Sequence, residues 1–331
     1  MISPVEKTID APPPSPLGPT GKRRRSAMIL LRVGVTVAVL AVLATQADWT
    51  GMSARVAAIA PSLIAVGFLI KGFSVFFAGE RWRLSVAAAG TAIRRWLSLR
   101  LMAIGLFFGQ GLPGTVGGDV VRGFLTQRAG CPTPTVLLAF ILDRGLALVA
   151  CLLLVLAGLP YLPPTVVGAA MLMLGGLIAG LGFLLVVDRL PLPALAIVNT
   201  IRPHFVRLRH IILSKAALQG LVFAAAVHLS TIVAVFAYTT ALNLPVTAAN
   251  LFVVVPATIL VSALPISING WGIREGAYVF GLSLYGVGAA EAITVSLMIG
   301  FTDILVALPG GVLWLLSRDR IADVRSETLQ P

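Results

Sequence analysis

Residues 135–158 read TVLLAFILDRGLALVACLLLVLAG, an apolar run of 24 residues that only Asp143 and Arg144 interrupt with charge. A helix of this length can cross the ~30 Å hydrocarbon core of a bilayer with some tilt. The whole 331-residue chain has the same character, with 58% hydrophobic and 11% charged residues. Soluble domains carry roughly 25% charged residues. The composition therefore excludes a soluble, fibrous or disordered protein and predicts an all-α polytopic membrane protein.

Other apolar runs bring the predicted number of spanning helices to about six. They are 28–45, 56–79, 164–187, 216–242 and 290–316. The first could be the core of a signal peptide, but it is long for one, so we expect an uncleaved helix. The membrane domain is predicted to cover 28–317. A Pro-rich, polar and disordered cytoplasmic tail at 1–27 is expected before it, and a short cytoplasmic tail at 318–331 after it.

The basic residues give the predicted orientation. The formal net charge is +12, which in a soluble protein would suggest nucleic acid, but here the charge lies between apolar runs and indicates contact with anionic lipid headgroups. The runs at 56–79, 164–187 and 290–316 are each followed by basic residues: Arg81, Arg83, Arg94, Arg95, Arg100; Arg189, Arg202, Arg207, Arg209, Lys215; Arg318, Arg320, Arg325. The connections 159–163, 243–249 and 287–289 contain no Lys or Arg. The positive-inside rule then predicts that both termini lie in the cytoplasm. The expected membrane is the bacterial inner membrane.

Two stretches, 97–126 and 250–286, must each cross an even number of times, yet Pro and Gly break both in the middle. Half-membrane hairpins entering from opposite faces fit this pattern, because non-helical backbone survives in a bilayer only when it is buried in protein or lines a cavity. Both stretches contain the pattern L-P-x4-G-x3-R, which begins at Leu112 in one and at Leu264 in the other. The segments 56–158 and 216–316 are therefore predicted to form an inverted repeat with two re-entrant hairpins. The connection 188–215 is either an amphipathic interfacial helix or a basic loop.

Charged residues inside these segments are candidates for function, because each costs at least ~2.5–3.5 kcal/mol to insert into a membrane. Gly117 and Gly118 permit a sharp turn into a short helix near Asp119, whose free amides attract anions. Arg122 adds a guanidinium suited to phosphate oxygens. Gly270, Gly272 and Arg274 repeat this arrangement, so the two hairpins are predicted to form one pocket for a phosphate-bearing headgroup. The alternative is that Asp119 and Arg122 pair at i,i+3 and Arg274 pairs elsewhere, which only neutralises buried charge.

The remaining polar residues in the apolar runs allow two readings as well. Asp143 is expected to neutralise a hairpin arginine, and Arg144 to contact the headgroup or Asp119. Asp143, Glu275 and Asp303 could each carry a coupling proton, or could form structural pairs. His228 is expected to form a hydrogen bond between helices. Trp82, Trp96 and Trp314 lie near the ends of runs and are predicted to lie at the membrane interface.

No catalytic residue, metal site or cofactor site is predicted. The chain lacks the phosphate-binding motif G-x-x-x-x-G-K-[ST], the zinc motif H-E-x-x-H and the nucleophile motif G-x-S-x-G. Cys131 and Cys151 suggest neither a disulfide framework nor a zinc quartet. We therefore expect a lipid flippase or lipid-phosphate carrier with membrane lipids as partners. The alternative is a membrane-embedded enzyme, or an accessory subunit, that acts on a polyprenyl-linked or phospholipid substrate.

Three separated motifs also carry a family resemblance: GLPGTVGGDVVR at 111–122, Asp143-Arg144, and PISINGWGIRE at 265–275. In this order they resemble the flippase-like membrane domain of lysylphosphatidylglycerol synthetases and of its stand-alone relatives. The resemblance covers about 28–317. It implies two re-entrant elements and movement of anionic or aminoacylated lipids between leaflets, without the aminoacyl transferase domain of the full synthetases. The positions to which it points are Gly117, Gly118, Arg122, Asp143, Arg144, Gly270, Arg274 and Glu275.

Overall fold

The structure is a computed structural model that describes residues 61–112, 117–186, 209–263 and 270–316. These ranges are helical and contain no β-strand. The predicted helix 28–45, both predicted tails and most of the predicted connector 188–215 lie outside them.

The helices follow the apolar runs closely. They are α1 (Pro61–Ala88), α2 (Arg95–Gly111), α3 (Gly117–Arg128), α4 (Thr133–Gly158), α5 (Pro164–Val186), α6 (Lys215–Ala241), α7 (Ala248–Ser262), α8 (Ile273–Ser283) and α9 (Ala289–Leu316). By length and composition α1, α4, α6 and α9 could each cross a membrane, with α4 continuing through a 3-10 turn at Leu159–Tyr161. The four helices α2, α3, α7 and α8 have 17 residues or fewer. At 1.5 Å per residue, three of these four are much shorter than a bilayer core of ~30 Å.

The two long helices α1 and α6 pack against each other in opposite directions. Lys71 of α1 contacts Thr231 of α6, and the Phe77 ring packs on the Phe223 ring. Gly67, earlier in α1, lies against the ring of Tyr238, later in α6. Positions in the two helices therefore run in opposite order, so the carboxyl ends of α1 and α6 lie at opposite ends of the bundle.

The short helices form two pairs, α2–α3 and α7–α8. Each pair begins and ends at the same end of the bundle. Ile93, before α2, and Cys131, after α3, belong to the same buried cluster as Trp82 of α1. Val246, before α7, and Val287, after α8, belong to the same buried cluster as Tyr238 of α6. The α2–α3 pair thus begins and ends near the carboxyl end of α1, and the α7–α8 pair does so near the carboxyl end of α6.

The packing partners of the first half reappear in the second half. Helix α2 packs on α9 as α7 packs on α4, and α3 packs on α4 as α8 packs on α9. Gly158 of α4 lies against Phe252 and Val253 of α7, whereas Gly310 of α9 lies against the backbone of Ala103 in α2. Gly158 and Gly310 are 152 positions apart, the same separation as Arg122 and Arg274. The repeated motif found in the sequence is thus accompanied by repeated helix contacts.

Candidate functional site

Five charged side chains from three helices of the first half form what we call the arginine–aspartate cluster. Its members are Arg81 from α1, Asp119 and Arg122 from α3, and Asp143 and Arg144 from α4. Asp143 is ten residues into α4, which places it about 15 Å along the helix axis. Charge at such a depth inside an apolar bundle is costly and needs partners.

Asp143 is the centre of the cluster. Its carboxylate accepts hydrogen bonds from Arg81, with Nε–Oδ1 and Nη2–Oδ2 distances of 2.7 and 3.2 Å. Arg122 Nη2 donates to the same Oδ2 at 3.1 Å. Asp143 is only 1% exposed, so one buried carboxylate neutralises parts of two guanidinium groups. The expectation that Asp143 neutralises a hairpin arginine is confirmed.

The Arg122 guanidinium packs between an aromatic ring and a thioether. Its Cζ lies 4.1 Å from the centroid of the Trp82 ring, and Nη1 lies 3.3 Å from Sδ of Met102. Trp82 Nε1 in turn donates to Thr126 Oγ1 at 3.3 Å. Among the described residues, the buried Nε of Arg122 has no hydrogen-bond acceptor. Arg122 is therefore rigidly placed and retains a donor that an additional oxygen atom could use.

Asp119 connects this buried part of the cluster to its outer edge. One carboxylate oxygen lies 2.9 Å from Arg122 Nη2, and the other is ion-paired with Arg144. The Arg144 side chain is 43% exposed, compared with 3% for Arg122. The predicted alternative of an i,i+3 pair between Asp119 and Arg122 is thus present, as is the predicted contact of Arg144 with Asp119.

Glycine allows α3 to approach α2 closely enough to build this cluster. A Cβ on Gly118 would collide with the backbone oxygen of Gly105, and one on Gly117 would collide with Leu112. The prediction that a short helix begins at this glycine pair is confirmed, since α3 begins at Gly117. The close α2–α3 contact turns Arg122 inward, beneath Trp82.

Arg274 is the corresponding arginine of the second half. Its Nε donates to Ser296 Oγ of α9 at 3.1 Å, and its Nη2 donates to Glu275 Oε1 at 2.8 Å. The guanidinium carbon lies 4.4 Å from the Trp271 ring centroid. A Cβ on Gly300 would collide with this guanidinium. As with Arg122, an arginine on the second helix of a short pair stacks on a tryptophan and bonds to the following long helix.

Glycine and Glu275 shape the start of α8. Gly270 and Gly272 have φ angles of +78° and +85°, a backbone conformation that residues other than glycine rarely adopt. The Glu275 carboxylate accepts from the backbone N–H of Gly272 as well as from Arg274 and Ser296 Oγ. The N-terminus of α8 therefore already has an internal carboxylate at the place where an external anion was expected.

Arg122 and Arg274 have different direct partners. Within the described ranges, Arg122 contacts α1, α2 and α4, whereas Arg274 contacts Trp271, Glu275 and α9. The single headgroup pocket between the two arginines stays a prediction. The arginine–aspartate cluster carries one more positive than negative charge, whereas the Arg274–Glu275 pair is neutral.

Asp303 pairs across the middle of the bundle. Its carboxylate lies 2.9 Å from Lys71 Nζ, which also donates to Thr231 Oγ1 at 3.3 Å. This contact joins α1, α6 and α9. Its geometry is that of a structural ion pair, and a coupling proton on Asp303 stays a prediction.

His228 forms the expected bond between helices. Its Nε2 lies 3.1 Å from the backbone oxygen of Ala147 and 3.3 Å from Cys151 Sγ. His228 therefore fastens α6 to α4.

Sequence reasoning missed the roles of Arg81, a member of the cluster, and of Trp82, which packs against Arg122. Arg81 was assigned to a loop after the run 56–79, but α1 continues to Ala88. Trp82 was predicted at the membrane interface, and this was wrong, because it is fully buried. Neighbouring residues could not have identified either one, because their partners Asp143 and Arg122 lie 62 and 40 positions away in the chain.

Comparison with known proteins agrees with this architecture. Residues 29–311 match the family described as the transmembrane region of lysylphosphatidylglycerol synthase. No curated protein matches the chain. The family match relates the chain to membrane lipids and covers most of its length, including all the described helices up to the last turn of α9. The chain therefore belongs to the family of the lysylphosphatidylglycerol synthase transmembrane region.

Proposed function

We propose that this protein is a lipid flippase or lipid-phosphate carrier that moves an anionic or aminoacylated lipid between the leaflets of the bacterial inner membrane. The observation that carries the proposal is the arginine–aspartate cluster. Three arginines and two aspartates meet inside the bundle, and Arg144 exposes 43% of its side chain at the edge of the cluster.

The cluster has the chemistry that a phosphate headgroup needs. Its five members carry one more positive than negative charge, and guanidinium groups bind phosphate oxygens in a planar, charge-assisted geometry. A headgroup that contacts Arg144 would compete for it with Asp119. Such an exchange of partners lowers the cost of taking a charged headgroup through hydrocarbon, which is the main barrier to leaflet exchange.

The arrangement of helices supports alternating access. We infer that α2–α3 and α7–α8 are re-entrant hairpins in an inverted repeat that enter the membrane from opposite faces. The antiparallel α1–α6 contact, the matched positions of Gly158 and Gly310, and the return of each short pair to its own end of the bundle support this inference. Inverted repeats of this kind let one half move against the other around a site between them.

Orientation and energy source complete the proposal. The basic ends of α1 and α2 are assigned to the cytoplasm by the positive-inside rule, with both termini on that side. Since the sequence has no nucleotide-binding motif, a lipid gradient or protons on Asp143, Glu275 or Asp303 would set the direction of transport.

Leaflet exchange in proteoliposomes tests this function. The purified chain is reconstituted with a trace of headgroup-labelled phosphatidylglycerol, lysylphosphatidylglycerol, phosphatidylcholine or polyprenyl phosphate, and quenching from outside follows the exchange. We expect faster exchange than in empty liposomes for a lipid of the anionic or aminoacylated class, and little for phosphatidylcholine. Exchange at the empty-liposome rate for every probe would contradict the proposal. Chemical conversion of a probe would instead favour the membrane-embedded enzyme.

A further inference from the structure

The second half contains an apolar pocket of about 560 Å³ that the headgroup site does not use. Its walls come from α4, α5, α7 and α8. The α8 residues that line it extend from Ile273 to Gly281, about 12 Å along the helix axis, and Leu284 and Tyr285 continue the lining after the helix. The pocket is therefore elongated, and its volume is in the range of small-molecule sites in proteins, roughly 300–1,000 Å³.

The lining excludes a charged or strongly polar occupant. Among the described residues, no Asp, Glu, Lys or Arg lines the pocket. Its polar side chains are Thr258 and Tyr285, and the Tyr285 hydroxyl already donates to the backbone oxygen of Tyr161 at 3.1 Å. Water does not fill apolar cavities of this kind, because it finds no hydrogen-bond partners there.

The rim of the pocket opens to the surface of the bundle. Phe280, Met173 and Val261 line it and are 63%, 53% and 38% exposed. Exposed apolar side chains on a membrane-spanning bundle face lipid, and lipid tails are as apolar as leucine. Hydrocarbon is thus the material that reaches the opening, and it recovers the dispersion contacts that an empty cavity loses.

Gly276 keeps the wall of the pocket open on α8. It lines the pocket, and a Cβ at this position would meet no atom within 4 Å. Gly276 lies two positions after Arg274, whereas the first half has Phe124 two positions after Arg122. A larger side chain at Gly276 would therefore extend into open space.

We propose that this pocket binds one hydrocarbon chain of a membrane lipid, either a fatty acyl chain or an isoprenoid chain. The chain lies along α8 between α5 and α7, and Arg274 does not line its site. The proposal goes beyond the proposed transport function, because a protein can hold a lipid tail at this site without moving lipid between leaflets.

Photolabelling in proteoliposomes tests the proposal with two probes used separately. One is a phosphatidylglycerol with a diazirine in its acyl chain, and the other is a polyprenyl phosphate with a diazirine in its isoprenoid chain. After irradiation, mass spectrometry maps the labelled residues. We expect labelling of Met173, Phe280 and Leu284 by at least one probe, above that of Leu172, which is 79% exposed and lies outside the pocket. The probe that labels identifies the type of chain.

A substitution that fills the pocket supplies the specific test. Gly276→Leu is expected to reduce labelling of the three pocket residues several-fold. Gly168→Leu is the matched control, since Gly168 is exposed on α5, has open space around its Cβ and does not line the pocket. Ala257→Leu fills the same pocket from α7 and serves if Gly276→Leu does not fold.

The outcomes separate this proposal from the carrier function. Labelling no higher than at Leu172, or labelling that folded Gly276→Leu and Ala257→Leu proteins both retain, would overturn the tail site. Pocket labelling without leaflet exchange would support the tail site and contradict the carrier.

Discussion

Arg122 and Asp143 form a buried ion pair between a short and a long helix, with Nη2 and Oδ2 3.1 Å apart. Both side chains are at most 3% exposed. Asp143 also binds Arg81, so a single carboxylate holds α1, α3 and α4 together. This three-helix contact holds the arginine–aspartate cluster in place. It keeps Arg122 buried and leaves Arg144 at the exposed edge, where a lipid could reach it.

Asp143→Asn is expected to destabilise the protein by about 3–5 kcal/mol, because it leaves Arg81 and Arg122 buried without their shared counterion. The thermal unfolding midpoint in detergent measures the loss. The double variant Arg81→Gln, Asp143→Asn removes one of the two buried cations and should be more stable than Asp143→Asn alone. An Asp143→Asn protein with the same unfolding midpoint as the wild-type protein would show that Asp143 is not the centre of the cluster.

Gly158→Val and Gly310→Val should each destabilise the bundle by about 1–3 kcal/mol or more, since each new side chain collides with a neighbouring helix. Gly168→Val introduces the same residue into open space and should cost much less. Unfolding midpoints of the three variants test the matched contacts of the two halves. Equal midpoints for Gly158→Val and Gly168→Val would argue against the close contact between α4 and α7.

Lys71→Met or Asp303→Asn alone should be destabilising, because each leaves one partner of the ion pair at mid-bundle. The double variant Lys71→Met, Asp303→Leu replaces the pair by apolar side chains and should recover much of the loss. Unfolding midpoints measure this coupling. Leaflet exchange by the double variant then decides the role of Asp303: retained exchange with unchanged dependence on a pH gradient means that Asp303 does not carry the coupling proton.

Cys131 should react slowly with maleimide in the folded protein. The residue lies in the connection between α3 and α4, is 3% exposed, and burial raises the pKa of its thiol. A raised pKa keeps the thiol protonated at pH values where an exposed cysteine already forms the reactive thiolate. Labelling of a Cys151→Ala variant should therefore remain slow up to pH 9 and become fast on unfolding. Rapid labelling of the folded protein at pH 7 would contradict the packing of this connection.

Much of the fold could be predicted because membrane helices depend on long apolar runs. The predicted runs at 135–158, 216–242 and 290–316 agree with α4, α6 and α9 to within two residues at each end. The run at 56–79 was extended to Ala88 in the structure, since Glu80 and Arg81 find ion partners and so remain in the helix. Hydropathy alone cannot detect such compensation.

The candidate site was predicted only in part. The helix start at Gly117 was predicted because it depends on a glycine pair nearby in the chain. The acidic partner of Arg122 was predicted because a buried charge requires a counterion. The distance between Arg122 and Arg274 depends on how the two halves pack. A repeated motif does not encode that distance, so the common headgroup pocket stays a prediction.

The most direct test of the account compares leaflet exchange by Arg144→Gln and Arg128→Gln proteins. Arg144 lies at the exposed edge of the arginine–aspartate cluster, whereas Arg128 is an exposed arginine at the end of α3, outside it. We expect Arg144→Gln to slow exchange of the transported anionic lipid about tenfold or more, since a hydrogen bond to a charged group is worth about 1.5–3 kcal/mol. Arg128→Gln should match the wild-type protein. Equal exchange by the two folded variants would contradict the assignment of the headgroup to this cluster.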